Sequence, residues 1–392
     1  MQPRFARRRE LFPVPSILYL LAACNLVIGT GAFSLTGILQ PVASSLGVSV
    51  GAAGQSMTAY AIATALLAPL LLVTTGSWSR RSALQTALAL FIAGLLTSAL
   101  AQNLGVLFLG RILMGAGAVF TPIAASIAVS VVEPARQGKA LSLTFLGMSM
   151  SYVVGLPLGA WLGLRFGWRM PLFVIAAAGL VMLGLVSTRV PRTVSAPGAS
   201  LMGLASVLGQ SEVRRTLSLT LLYFTAIFTV FAYSGPVLLA LNPMGSEKLS
   251  LTLMAFGVSG VAGTVSGGWA TDRFGPLRTL RVQLAVLVVM MLLVPLTRGN
   301  YALMMAVFMA WGVAGFGMMS PTQARLATAS PRQAPVLFSL NTSMLYFGTA
   351  LGSAVSGAAS AAVGFDKLSW VGSAFALAGA ATLTRHRLGP QG

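Results

Sequence analysis

Two charged side chains stand where this sequence otherwise avoids charge. Arg111 lies inside the apolar run around "GRILMGAGA", and Asp272 lies in "GGWATDRFGPLR", one of only 6 acidic residues among 392. An arginine at the centre of a bilayer costs roughly 2.5–3.5 kcal/mol, which makes it a candidate for handling a ligand or a proton. It stands about seven residues, or roughly 10 Å, from one end of its run, so snorkelling to that surface is the competing reading. A carboxylate at a helix end, such as Asp272, can accept hydrogen bonds from the free N–H groups of a neighbouring helix N-terminus, whose dipole favours it. Arg273 or Arg278 can neutralise it, and Gly268 and Gly275 let backbones approach and turn. The plainer alternative is a solvated ion pair in a loop.

Other chemistry lacks its parts. The chain has one cysteine, Cys24, and one histidine, His386, and none of its acids (Glu10, Glu133, Glu212, Glu247, Asp272, Asp366) falls within an apolar run. Metal sites, disulfides and acid–base or nucleophilic catalysis are therefore not expected. We expect no enzyme and no cofactor.

The elements that must position these residues are long apolar helices. The composition is 56% hydrophobic and 8% charged, with 43 glycines. Runs of about 20 apolar residues, the length that spans a bilayer as helix, recur twelve times: 16–38, 52–74, 84–101, 104–131, 140–163, 169–188, 216–241, 250–271, 281–297, 301–324, 336–360 and 369–384. They are continuous rather than alternating, which excludes a closed barrel. The first run has no small-residue cleavage site, so it reads as span 1 rather than a signal peptide.

The net charge of +19 follows from topology. With the N-terminus cytoplasmic, nineteen Lys and Arg fall inside and five outside (Arg165, Arg169, Lys248, Arg298 and Lys367), with Arg111 alone in a span. That bias supports both termini on the cytoplasmic side and removes the need for a nucleic-acid partner.

A polar stretch rich in Pro, Gly, Ser and Arg divides the chain in two, with a weakly amphipathic piece at Leu201–Leu208 that could lie along the membrane surface. The expected organisation is an arm at 1–15, a six-helix bundle at 16–188, a central loop at 189–215, a second bundle at 216–384 and a tail at 385–392. The halves echo each other. "GSWSRRSAL" from Gly76 parallels "GGWATDRFGPL", "EPARQGKALSL" parallels "SPRQAPVLFSL", "GLPLG" parallels "GTALG", and Pro41 parallels Pro236. Duplicated six-helix halves around a central site are a transporter architecture. In span 5, Gly155, Gly159 and Gly163 leave one face bare around Pro157, and span 8 offers Gly263 and Gly267 at the same spacing. Close helix contact follows from either stripe.

The chain resembles the major facilitator superfamily, and within it the twelve-span drug:proton antiporters akin to bacterial arabinose-efflux permeases. "GGWATDRFGPLR" is similar to the family's loop motif G-x-x-x-D-R-x-G-x-x-R. "GRILMGAGA" is similar to its span 4 arginine motif, and "GLPLGAWLG" to the glycine-proline motif of its efflux members. The resemblance implies an all-α fold of twelve transmembrane helices in two pseudo-symmetric six-helix bundles. It implies that the loop carrying Asp272 latches the halves in the outward-open state, near Gln137 to Leu141, and that spans 5 and 8 meet between halves. The first copy of the loop has Ser79, Arg80 and Arg81 where an aspartate is usual, so the latch should depend on the second copy. Arg111 is expected in the cavity, but the span 1 position where efflux members often carry an acid is Ala32.

In this fold spans 1, 4, 7 and 10 line the cavity, with 2, 5, 8 and 11 at its sides. The polar or aromatic candidates there are Asn25, Tyr60, Arg111, Tyr152, Tyr223, Tyr233, Gln323, Asn341 and Tyr346. Each alone could equally be a helix–helix hydrogen bond. Together they suit neutral or mildly anionic molecules better than polycations. The resemblance implies a monomeric secondary transporter in a bacterial inner membrane, exporting small organic molecules with proton coupling. The missing membrane carboxylate favours an uncoupled facilitator or importer as the alternative. A scaffold or sensor is disfavoured by the short tail and central loop.

Overall fold

The computed structural model describes residues 16–133, 136–191, 208–330 and 333–384. The arm at 1–15, the tail at 385–392 and most of the Leu201–Leu208 piece lie outside the described residues.

Among the described residues, twelve helical rods run back and forth, six in each half. The first half holds α1 (Ser16–Phe33, continued by Leu39–Leu46), α2 (Val50–Thr74), α3 (Arg80–Ala99) and α4 (Leu104–Gly117, then Phe120–Ser130). It is completed by α5 (Gln137–Met150, a π-turn at Ser151–Gly155, then Leu156–Phe166) and α6 (Met170–Arg189). The second half holds α7 (Ser211–Phe231, then Ser234–Leu241), α8 (Ser246–Phe274), α9 (Pro276–Leu293 with a 3₁₀ turn at Val294–Thr297) and α10 (Tyr301–Gly317, then Met319–Ala329). It ends with α11 (Ala334–Val363) and α12 (Leu368–Thr384). Among the described residues, nine of these stretches are long and apolar enough to cross a membrane; α2, α11 and α12 complete the twelve. The described part of α7 starts at Ser211, inside the stretch expected as central loop.

The duplication is visible in local geometry. Asn103 caps α4 by accepting from the Val106 N–H, and Asn300 caps α10 by accepting from the Leu303 N–H, each at 3.0 Å. Gly167 and Gly364 turn the chain after α5 and α11 at φ of 97° and 79°, a region that favours glycine.

Four rods are broken: α1, α4, α7 and α10. Each break lies just ahead of a proline, at Pro41, Pro122, Pro236 and Pro321. A proline has no N–H for the carbonyl four residues back, and its ring crowds that carbonyl. Those carbonyls belong to Gly37, Ala118, Ala232 and Gly317, within or beside the breaks. Proline does the same in α5: Pro157 leaves the Val153 carbonyl without its usual donor, and the π-turn at Ser151–Gly155 takes up the slack.

The glycine stripes do not join α5 to α8. A Cβ on Gly155 would overlap Thr30, and one on Gly163 would come within 2.5 Å of Ile38, so the α5 stripe faces α1 in its own half. The α8 stripe faces α10: Gly263 lies against the Val313 backbone and Gly267 against Gly317. The stripes therefore tighten each half. α5 and α8 do meet, but through Gly257, which lies against the Tyr152 carbonyl. At Gly268 a Cβ would meet only Ser320 Oγ at 3.7 Å, so the close approach belongs to Gly267.

Candidate functional site

The central site grows from the breaks. Where α1 stops at Phe33, its last carbonyls have no intrahelical donor. Arg111, fully buried on α4, supplies one: Nη2 donates to the Ala32 carbonyl at 2.9 Å and Nη1 to the Gly31 carbonyl at 3.1 Å. Its guanidinium also lies 5.6 Å from the centroid of the Tyr60 ring, and Nε has no hydrogen-bond partner. The partner that the sequence left open is thus main chain, at the place where Ala32 stands. Arg111 neither snorkels nor faces open space.

Beside it, aromatic rings from both halves meet. Phe33, at the break of α1, stacks on Tyr152, on the π-turn of α5, with centroids 4.9 Å apart. Phe231, at the break of α7, packs edge-on against Phe33 at 5.7 Å and lies 5.5 Å from Phe256 of α8. Tyr152 also meets Phe316 of α10 at 5.1 Å, and Phe256 stacks on Trp311 at 4.8 Å. Tyr60 and Tyr346 meet edge-on at 6.4 Å across α2 and α11. Offset and edge-on pairs of this kind are each worth about 0.5–1.5 kcal/mol beyond burial. Together they form an apolar, ring-lined centre between the halves, beside one buried charge.

The sequence candidates divide accordingly. Tyr60, Tyr152, Tyr346 and Arg111 come together here. Asn25 and Asn341 are tied up in helix–helix bonds: Asn25 donates to the Thr144 carbonyl and accepts from Thr121, and Asn341 accepts from Thr220 at 2.6 Å. Tyr223 is buried beside Phe224, and Gln323 is exposed. Phe33, Phe231, Phe256, Phe316 and Trp311 were not among the candidates, whose aromatic members were all tyrosines. Phe231 and Phe316 each stand five residues before a break proline, Pro236 and Pro321, whereas Phe256 on the unbroken α8 has no such marker.

Tyr233 belongs to a seam at the far end, away from the termini. Its hydroxyl donates to the Gly51 carbonyl at 2.9 Å and lies 3.4 Å from that of Ser353. Gln55 Nε2 donates to the Ala354 carbonyl at 3.3 Å, Ser353 Oγ to that of Gly54 at 3.2 Å, and the Gly235 N–H to that of Thr36 at 3.1 Å. Glycine is required here: a Cβ on Gly54 would overlap the Tyr233 ring, and one on Gly357 would overlap Gln55. Every hydrogen bond between the halves among the described residues lies in this seam and along α2–α11.

At the terminal end the gating candidates stand apart. Asp272 is exposed on the last turn of α8, with no hydrogen bond or ion pair among the described residues, and Arg278 is exposed on α9. Arg273 lies 5.9 Å from the Trp269 centroid, and Gly275 makes the turn into α9 at φ 82°. Arg80, 2% exposed, and the half-buried Arg81 open α3.

A membrane protein with two broken-helix bundles, closed around an apolar centre at one end, is built as a carrier. The sequence profile of the Major Facilitator Superfamily matches residues 21–353, and the chain belongs to that family. It is 29% identical to the MFS-type transporter YbcL of Bacillus subtilis, over 91% of each chain. It is 32% identical to the inner membrane transport protein YdhP of Escherichia coli O157:H7, over 86% of this chain and 87% of that one. Among solved structures, a bacterial homologue of the human lysosomal transporter Spinster, in an inward-facing unoccupied conformation, superposes with a TM-score of 0.82 at 17% identity, over 95% of this chain and 96% of that one. The protein is a small-molecule transporter, not an enzyme.

Proposed function

We propose that this carrier exports small organic molecules, neutral or weakly anionic, by alternating access across a bacterial inner membrane, as a monomer with both termini cytoplasmic. The observation that carries the reading is the far-end seam beside the aromatic centre: among the described residues, the hydrogen bonds found between the halves lie there and along α2–α11. Rocking about the breaks of α1 and α7 would break the seam around Tyr233 and bring the Asp272 loop of α8 toward the start of α5. Ligand would then meet Phe33, Tyr152 and Phe231 from either side in turn. The relative named an inner membrane transport protein supports the location. Proton coupling is part of the proposal, through carboxylates at the rim such as Asp272 or Glu133. A second reading, an uncoupled facilitator, is favoured by Arg111 pairing with carbonyls rather than with an acid.

The test is cellular accumulation of fluorescent drugs, labelled sugars and labelled nucleosides in an efflux-deficient host, with and without a protonophore. Lower accumulation that the protonophore abolishes supports energised export. Faster equilibration, indifferent to the protonophore, supports the facilitator. No effect on any compound removes both readings for those classes.

A further inference from the structure

At the terminal end of the second half, away from the central site, Arg325 pairs with one carboxylate and stands near Arg215 and Arg281, with Arg214 beside Arg215 on α7. Arg325 is 5% exposed and pairs with Glu212 at 3.5 Å, while Arg215 and Arg281 lie close enough to repel its charge. Arg214 Nη1 donates to the Leu208 and Gly209 carbonyls at 2.9 and 2.6 Å, and Arg281 Nη2 to the Leu383 carbonyl of α12 at 3.4 Å. Arg215 has neither a hydrogen bond nor a carboxylate among the described residues. Four guanidinium groups against one carboxylate leave three positive charges in excess. The stretches next in sequence, 192–207 and 385–392, contain no acidic residue. The neighbouring sequence offers no acidic side chain to balance this excess.

A cavity of about 330 Å³ lies in the same place, between α7 and α12, lined by Ser211, Arg214, Arg215, Ser218, Ala381 and Thr382. Ser211, Arg214, Ser218 and Ala381 are exposed, so the cleft is accessible. Guanidinium forks beside hydroxyls match the oxygens of a phosphate, which arginine can bind through two parallel bonds. Basic clefts between transmembrane helices at the membrane surface suit lipid headgroups. We propose that this cleft binds a phosphate-bearing anion, supplied by the headgroup of an anionic phospholipid.

The test is native mass spectrometry of the intact protein in detergent with added phosphatidylglycerol, phosphatidylcholine or inorganic phosphate. Adducts should form with phosphatidylglycerol in preference to phosphatidylcholine. They should weaken about fivefold for Arg215→Gln and about twenty-fivefold when Arg214→Gln is added. Thr382→Trp fills the cleft without altering charge and should weaken them as well, which separates a built pocket from diffuse attraction. Thermal unfolding of each variant checks the fold, and Thr382→Trp stands in if the arginine variants misfold. Inorganic phosphate competing at micromolar concentration would reassign the anion to a soluble source and overturn the lipid assignment. Equal phosphatidylglycerol binding by wild type and the filled or neutralised variants would overturn the site itself. Transport is not read, so the outcome is independent of the proposed function.

Discussion

The main-chain N–H of Gly235 donates to the main-chain carbonyl of Thr36 at 3.1 Å, joining the halves where α1 and α7 both break. Gly235 also lies so close to Gly37 that a Cβ there would overlap the Gly37 carbonyl. The bond is available because both helices break at the same level: Thr36 lies in the break of α1, and Gly235 lies in the first turn of the resumed α7, where N–H groups have no intrahelical acceptor. Side-chain substitution cannot delete it, so the far seam is tested through its neighbours.

Tyr233→Phe keeps the ring and removes the hydroxyl that reaches Gly51 and Ser353. A hydrogen bond contributes about 0.5–1.5 kcal/mol net, so the far-open population should rise about 2- to 12-fold. Distances between spin labels at the far ends of α2 and α11 report this directly. An unchanged distribution would remove Tyr233 from the gate.

Arg111→Lys retains the charge but cannot hold both the Gly31 and Ala32 carbonyls as a fork does. Losing one charge-assisted bond of about 1.5–3 kcal/mol predicts transport lower by about tenfold or more. Arg111→Met removes the buried charge together with its partners' donor, so it should fold and still fail to transport. Wild-type transport by Arg111→Met would show that the arginine is dispensable packing.

Asp272 has no hydrogen bond or ion pair among the described residues, so Asp272→Asn should leave terminal-end distances in this state unaltered. It should deplete the opposite state, in which the loop meets the start of α5, and slow transport. If both transport and the terminal-end distance distribution match wild type, the latch assignment fails.

Phe33→Ala and Tyr152→Ala each remove one face of the central stack. At about 0.5–1.5 kcal/mol per aromatic pair, apparent affinity for an aromatic substrate should fall about 2- to 12-fold. Tyr152→Phe should behave as wild type. A large defect in Tyr152→Phe would instead assign the work to the hydroxyl.

The rods were legible because bilayer thickness fixes their length and composition, and the duplication because it repeats short strings such as Pro41 and Pro236. The faces were not. Gly155, Gly159 and Gly163 show a bare stripe, but periodicity says nothing about which neighbour fills it, and the structure gives α1. The π-turn before Pro157 adds to the difficulty, since one residue beyond the α-helical repeat turns the outer part of α5 by about 100° relative to the inner part. Among site residues, Arg111 was found by its charge, while its partners were hidden in carbonyls that every residue possesses. Phe33 and Phe231 were missed because apolar residues in an apolar helix carry no contrast.

The buried charge on Arg111 has an electrical consequence. The field across a membrane falls over whatever part of the protein is sealed. With the far end closed, Arg111 stands closer to the potential of the terminal side; with the terminal end closed, it would stand closer to the other. The side chain need not leave its carbonyls for this to happen. Reorientation of the empty carrier would then displace up to one elementary charge, worth about 2.3 kcal/mol for each 100 mV. With the terminal side cytoplasmic and negative, the resting cell itself would hold the carrier open toward the compartment it is proposed to clear.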